Sequence, residues 1–166
     1  MNLKKELTLE LESTHSEYIQ FVTSIPVEFY EHSSSNPAWS IGDILYHIAL
    51  GPRAILVETW MVRHAGWLLG TVLNNQTARI FNRGNALLVH QHIRITPQFL
   101  IRVYGHGHAG LLNSLEKMPD ADFNKSVRFP DSFVTELAGI VTVERLFRYI
   151  KLHFEIHASQ IREGLG

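Results

Sequence analysis

Four stretches of the chain place apolar residues at three- and four-residue steps, and no stretch alternates strongly enough to compete as a strand. The first runs from about Leu3 to Ser24, with Leu7, Leu11, Tyr18, Val22 and Ile25 on one stripe. Pro26 disfavours helical geometry at Ile25. A short turn over Pro26–Glu31 is expected before the Ser-rich break that follows. The second stretch has the clearest start signal: Ser40 and Asp43 stand at capping-box spacing, and Trp39 and Ile44 at hydrophobic-staple spacing. Its stripe is Ile41, Ile44, Leu45, Ile48, Ile55 and Leu56, and Gly51-Pro52 predicts a kink or a short break within it. Thr96 as cap and Pro97 as first helical residue open the third, which carries Leu100, Val103, Tyr104, Leu111, Leu115 and Met118 inward. Its glycines, Gly105, Gly107 and Gly110, either allow close helix approach or mark a break. The fourth starts near Thr142 and runs to Glu163, with Val143, Leu146, Phe147, Ile150, Phe154 and Ile161 facing inward. Gly164 and Gly166 suit its C-terminal end.

Four such helices around one core imply an all-α fold, a four-helix bundle, with residues 1–166 as one domain. The links His64–Ile95 and Pro119–Val141 are long for a plain up-down-up-down bundle. The first is expected to hold a short helix, and Ser126–Phe129 in the second to be locally extended.

Charge and composition then narrow the chemistry. With 15 basic and 16 acidic side chains the net charge is -1, so there is no electrostatic footprint for nucleic acid or an anionic membrane. The longest apolar run, near Gly66–Leu73, is far short of the roughly 20 residues that span a bilayer. The start of the chain has no apolar segment of the secretory kind, so a soluble, cytoplasmic protein is the expectation. There is no cysteine, which removes disulfides, Cys-ligated zinc, iron–sulfur clusters and a thiol nucleophile together. The 10 histidines leave imidazole as the main ligand type for a transition metal.

Among them, His153 and His157 stand at i and i+4 on the fourth helix, one turn apart on one face. That spacing lets two imidazoles reach one ion. Chance supplies on the order of half such a pair in a chain this rich in histidine, so placement matters more than spacing. Ile150, Phe154 and Ile161 surround the pair, and an inward helix face is a costly place for two unpaired polar rings. His47 lies beside Ile44 and Ile48 on the second helix, on a face that also holds Asp43 and Glu58.

Two segments carry a family resemblance. Trp39-Ser40-Ile41-Gly42-Asp43-Ile44-Leu45-Tyr46-His47-Ile48 resembles the Trp-Ser-x-x-acid-x-x-x-His-Ile/Leu stretch of DinB-like proteins, the YfiT-type metalloenzyme superfamily. His153-Phe-Glu-Ile-His157-Ala-Ser-Gln160-Ile161 resembles that family's His-x-x-x-His-x-x-Gln-Ile/Leu signature. The resemblance covers the chain in helix order and implies a bundle of unusual helix order, often dimeric. It also implies a divalent metal, zinc or nickel, held by His47, His153 and His157. Many family members carry an extra histidine directly before the last ligand, where this chain has Ile156. Characterised members of the family include transferases and isomerases that use bacillithiol or mycothiol, so a thiol cosubstrate and a small-molecule substrate are implied here.

Three neutral imidazoles leave the ion's charge uncompensated and its remaining positions open. Such an ion lowers the pKa of bound water toward ~7 or holds a thiolate outright. The same ligands therefore serve an S-transferase or a hydrolase, and a non-catalytic small-ligand or metal-binding bundle stands as the alternative. Gln160, three residues after His157, and Asp43, four before His47, have the spacing to fix a ring tautomer, although the capping box already accounts for Asp43. Glu58 and Tyr149 could supply acid–base chemistry, although a structural role is the first reading of each. His90 with His92 and His106 with His108 are spaced i,i+2 and do not face one ion from a helix, and their roles stay open. His108 has the position to approach the core beside Tyr104 and Leu111. A di-iron carboxylate bundle needs Glu-x-x-His on two helices, and Glu12-Ser-Thr-His15 is the only match. No Cys-x-x-Cys-His supports attached haem.

Overall fold

A computed structural model of the chain describes residues 2–72, 95–131 and 135–166. Among the described residues there are four α-helices: α1 (Leu3–Ser24), α2 (Ile41–Val72), α3 (Pro97–Lys117) and α4 (Val143–Leu165). They form the expected bundle, with one addition. β1 (Ser126–Phe129) and β2 (Gly139–Thr142) pair antiparallel, with Val127 opposite Val141 and Phe129 opposite Gly139. The extended conformation expected at Ser126–Phe129 is therefore present, and it finds a partner strand. Val127 and Phe129 point into the core while Ser126 and Arg128 point out.

Local chemistry sets the helix ends. Thr96 accepts a hydrogen bond from the Phe99 amide at 3.2 Å, with Pro97 in the first turn of α3. Thr142 does the same for the Arg145 amide at 3.1 Å and starts α4. Ile25, ahead of Pro26, leaves helical geometry with φ -96 and ψ 116 and closes α1. A 3₁₀ turn over Val27–Phe29 follows.

The break expected at Gly51-Pro52 is not there. The dihedrals of α2 stay helical through this pair and depart only at Ala65, with φ -132 and ψ 20. Proline inside a helix loses one backbone hydrogen bond and costs about 3 kcal/mol. Tertiary contact overrides that cost here: a Cβ on Gly107 of α3 would stand 2.8 Å from the Arg53 amide nitrogen and 3.0 Å from Pro52 Cβ. Gly107 and Gly110 of α3 thus serve close approach rather than a break. Because α2 reaches Val72, it absorbs the start of the first long link; residues 73–94, where a separate short helix was expected, lie outside the described residues.

Two apolar clusters fill the bundle. One gathers Leu7, Leu11, Ile55, Leu111, Phe147 and Ile150 with the inward residues of the ribbon. The other gathers Tyr18, Ile44, Ile48, Leu100, Tyr104 and Phe154. On α4, Ile150 belongs to the first and Phe154 to the second, so His153 sits where the two meet.

Candidate metal centre

The capping box that starts α2 forms as expected. The Ser40 amide donates to Asp43 Oδ2 at 3.0 Å, and the Asp43 amide donates to Ser40 Oγ at 3.1 Å. One turn further on, His47 projects toward α4. There it meets His153 and His157, which share a face as their spacing requires. One ring nitrogen from each of the three lies within 4.8 Å of the others, and the Nε2 atoms of His47 and His153 are 2.9 Å apart. Ligand nitrogens around a tetrahedral ion stand roughly 3.3 Å apart, given metal–nitrogen bonds of about 2.0–2.1 Å. The three planes differ widely: 57° for His47 on His153, 87° for His47 on His157 and 78° for His153 on His157. Ring nitrogens carry their lone pairs in the ring plane, so mutually tilted rings can aim them at one point.

The site favours neutral imidazole. His153 is only 8% exposed, and burial, then the neighbouring His47 and His157, hold its pKa well below the ordinary value. Burial and then His157 lower His47 to about 3. Burial also lowers His157, against the opposing effects of Gln160 and the Glu136 charge. Neutral rings are the form that binds metal.

Neighbours fix the rings. Gln160 Oε1 lies 2.8 Å from His157 Nδ1, so an Nδ1–H donates to it and Nε2 is left as the ligand atom. Gly51 explains its place in α2: a Cβ there would stand 3.1 Å from His153 Nδ1 and 3.2 Å from Cε1. Trp39, the staple residue, packs edge-on to His47 with ring centroids 4.9 Å apart and also reaches His157 at 6.4 Å. Its loop is pinned to α4 by the Ser35 amide, which donates to the Gln160 carbonyl at 3.3 Å.

On the other side of His153, the Tyr149 ring is 5.6 Å away. Tyr149 lines a groove of about 220 Å³ together with Glu136, Leu137, Arg145, Arg148 and Leu152. The Glu136 charge acts on both His157 and Tyr149, so this carboxylate belongs to the surroundings of the site. Sequence reasoning missed Glu136 because it sits in the second long link, in a 3₁₀ turn with no motif around it.

The remaining histidines fall elsewhere. His108 enters the core beside Tyr104, as its position allowed, and stacks on His15 with centroids 4.3 Å apart and planes tilted by 31°. No third candidate ligand joins this pair among the described residues. His106 is exposed, and His90 and His92 lie outside the described residues. Among the described residues, the three-histidine group is the one cluster of at least three candidate ligands.

The sequence model of the DinB superfamily matches residues 10–161. No curated protein matches the sequence. Among solved structures, the mycothiol-dependent maleylpyruvate isomerase is similar with a TM-score of 0.65 at 11% identity, over 97% of this chain and 61% of that one. A histidine-to-alanine mutant of that isomerase gives a TM-score of 0.68 at 12% identity over the same shares. At such identities the likeness shows the fold. The chain spans about three-fifths of the length of those structures.

Proposed function

The chain belongs to the DinB superfamily, and from that membership we propose that it is a metal-dependent enzyme with one divalent ion, zinc or nickel, held by Nε2 of His47, His153 and His157. The observation that carries the reading is three neutral, mutually tilted imidazoles converging where two helices and two apolar clusters meet. Bound there, the ion supplies a Lewis-acid centre with open positions, which favours the deprotonated form of a thiol or of water.

Of the two chemistries this permits, we favour transfer or isomerisation that depends on a thiol cosubstrate and acts on a small molecule. The supporting observation is the mycothiol dependence of the isomerase that shares the fold. The chain has no cysteine of its own, so the thiol must come from outside. A hydrolase is the second reading, since the ligand set serves it equally. The protein's own residues do the placing: Gln160 sets the His157 tautomer, Gly51 leaves room for the His153 ring, and Trp39 walls the His47 side. The groove beside Tyr149 is the substrate's approach. A homodimer is the proposed assembly, in line with the family resemblance. Among the described residues no helix is long and apolar enough to cross a membrane.

Metal analysis of untagged protein tests the site. About one ion per chain is expected, with loss in both His153→Ala and His157→Ala; unchanged metal content in the two variants would sink it. For the reaction, the loaded protein is offered mycothiol with maleylpyruvate, and separately generic esters without thiol. Turnover that needs the thiol supports the first reading, and thiol-independent hydrolysis supports the second. A protein that carries no stoichiometric metal would be a binding module instead.

A further inference from the structure

The groove beside Tyr149 has a charge pattern that the site as described does not use. It is lined by Leu137, Leu152 and Tyr149 together with Glu136, Arg145 and Arg148. It lies next to the triad, because Tyr149 also packs on His153 with ring centroids 5.6 Å apart. Both arginines are engaged elsewhere. Arg145 donates to the backbone carbonyls of Glu136 at 2.7 Å, Ile140 at 2.9 Å and Ala138 at 3.3 Å. Arg148 places its three guanidinium nitrogens on the carboxylates of Glu6, Glu10 and Glu144, at 2.7, 3.0 and 2.9 Å. Glu136 is the exception. Arg145 takes its carbonyl, but among the described residues its carboxylate has no hydrogen bond and no ion pair. Arg145 therefore fixes the link on which Glu136 stands and leaves that carboxylate as the uncommitted charge of the groove. Glu58, the other acid–base candidate, does not line it: its Oε2 is buried without a hydrogen-bond partner.

We propose that this groove seats an ammonium group carried by the thiol cosubstrate, between the Glu136 carboxylate and the Tyr149 ring. The proposal names the charge class of the cosubstrate and rests on the thiol-dependent reading. Each part of the lining fits such a group. An aromatic ring attracts an ammonium through its quadrupole within about 6 Å of the centroid. A carboxylate adds charge-assisted hydrogen bonds. Leu137, which is buried, and Leu152 offer apolar contact to the carbons between sulfur and nitrogen. An anionic end finds no equivalent. The guanidinium groups already face carbonyls and carboxylates, and Glu136 meets the anion as a like charge. The preference thus comes from repulsion of the wrong cosubstrate as well as attraction of the right one.

The test uses cobalt-substituted protein, whose visible absorption changes when a thiolate joins the metal, and compares wild type with Glu136→Gln. The probes are cysteamine, 2-mercaptoethanol and 3-mercaptopropionate, which end in a cation, a hydroxyl and an anion. Comparing each thiol between the two proteins cancels differences in thiol acidity. Glu136→Gln should weaken cysteamine by about fivefold or more, leave 2-mercaptoethanol within about twofold and tighten 3-mercaptopropionate. Cobalt content should be the same in both proteins; a variant that loses cobalt ties Glu136 to the metal centre instead and overturns the proposal. Equal changes for the three thiols overturn it too. If no thiol alters the spectrum of either protein, the thiol-dependent reading has failed, and the groove is read without it. The backbone amide shifts of Leu137, Tyr149 and Leu152 are then followed during titration with butylamine or butyrate. Shifts with butylamine that disappear in Glu136→Gln keep the groove as an ammonium seat. Shifts that persist in the variant, that come with butyrate alone, or that come with neither probe overturn it.

Discussion

At the scale of single residues, buried imidazoles give this protein a pH signature outside the proposed chemistry as well as within it. Burial and then His15 hold His108 at about 4, below its ordinary 6.5. A histidine whose folded pKa is depressed binds fewer protons in the native state than in the unfolded one across that window. Its contribution is therefore complete above 6.5 and is lost as pH falls toward 4. His47, lowered to about 3, acts in the same direction and reaches further into acid. Glu58 opposes them: raised to about 7, it favours the native state below its ordinary 4.5 and costs stability as pH rises through 7. Several histidines outweigh one carboxyl, so metal-free protein should melt progressively lower between pH 6.5 and 4. His108→Phe keeps a flat ring beside His15 and Tyr104 and removes one titrating group. Its melting temperature should depend less steeply on pH over that window, with metal content unchanged. An identical slope in thermal melts of the two proteins would show that His108 does not titrate with folding.

At the scale of elements, the sequence read best where local chemistry decides and worst where a distant neighbour does. The caps at Ser40 and Thr96, the start near Thr142 and the end at Ile25 rest on local hydrogen bonds and a steric rule, and all four appear as expected. The pairing of His153 with His157 on one face was legible for the same reason, as was the reach of Gln160 to His157. Gly51-Pro52 was read as a kink or a short break, and the chain stays helical there because α3 presses Gly107 against Pro52 and α4 seats His153 against Gly51. Nothing within a few residues reports either contact. The ribbon was half legible, since four-residue strands are too short for alternation to register. Glu136 was invisible because only folding brings its link to the site. These contacts make opposite predictions for one chemical change. Gly→Ala in a helix interior gains roughly 1 kcal/mol of intrinsic propensity. At Gly51 the added methyl meets a buried imidazole ring, so Gly51→Ala should fold and yet bind zinc at least 10-fold more weakly. At Gly107 it meets backbone, so Gly107→Ala should lose about 1–3 kcal/mol in denaturant melts. Wild-type zinc affinity in Gly51→Ala would mean that the ring has room to move.

At the scale of the whole molecule, the three histidines come from the two helices whose antiparallel contact joins the apolar clusters. His47 is on α2, and His153 and His157 are on α4, between Ile150 of one cluster and the Phe154–Ile161 stretch of the other. The ends of the bundle have their own fastenings: Arg148 joins α4 to Glu6 and Glu10 of α1, and Arg63 joins α2 to Asp122 at 2.9 Å. The middle of the α2–α4 contact holds instead three polar rings, whose neutrality is enforced by burial. Metal-free, that centre holds the His47 and His153 Nε2 atoms 2.9 Å apart; with an ion it would become a bridge between helices distant in sequence. A ligand that binds only the folded state stabilises it in proportion to the logarithm of its concentration over Kd, by about 4 kcal/mol at 1,000-fold excess. Unfolding by denaturant should therefore shift by that order when saturating zinc is added to chelator-treated protein. His47→Ala should abolish most of the shift, because it leaves two ligands on α4 and none on α2. The shift should fade only well into acid, below the ordinary histidine range, because burial lowers all three ligands, His47 to about 3, before protons compete for their nitrogens. A zinc-induced shift that survives in both His47→Ala and His153→Ala would place the stabilising ion elsewhere on the protein and remove the bridge between α2 and α4.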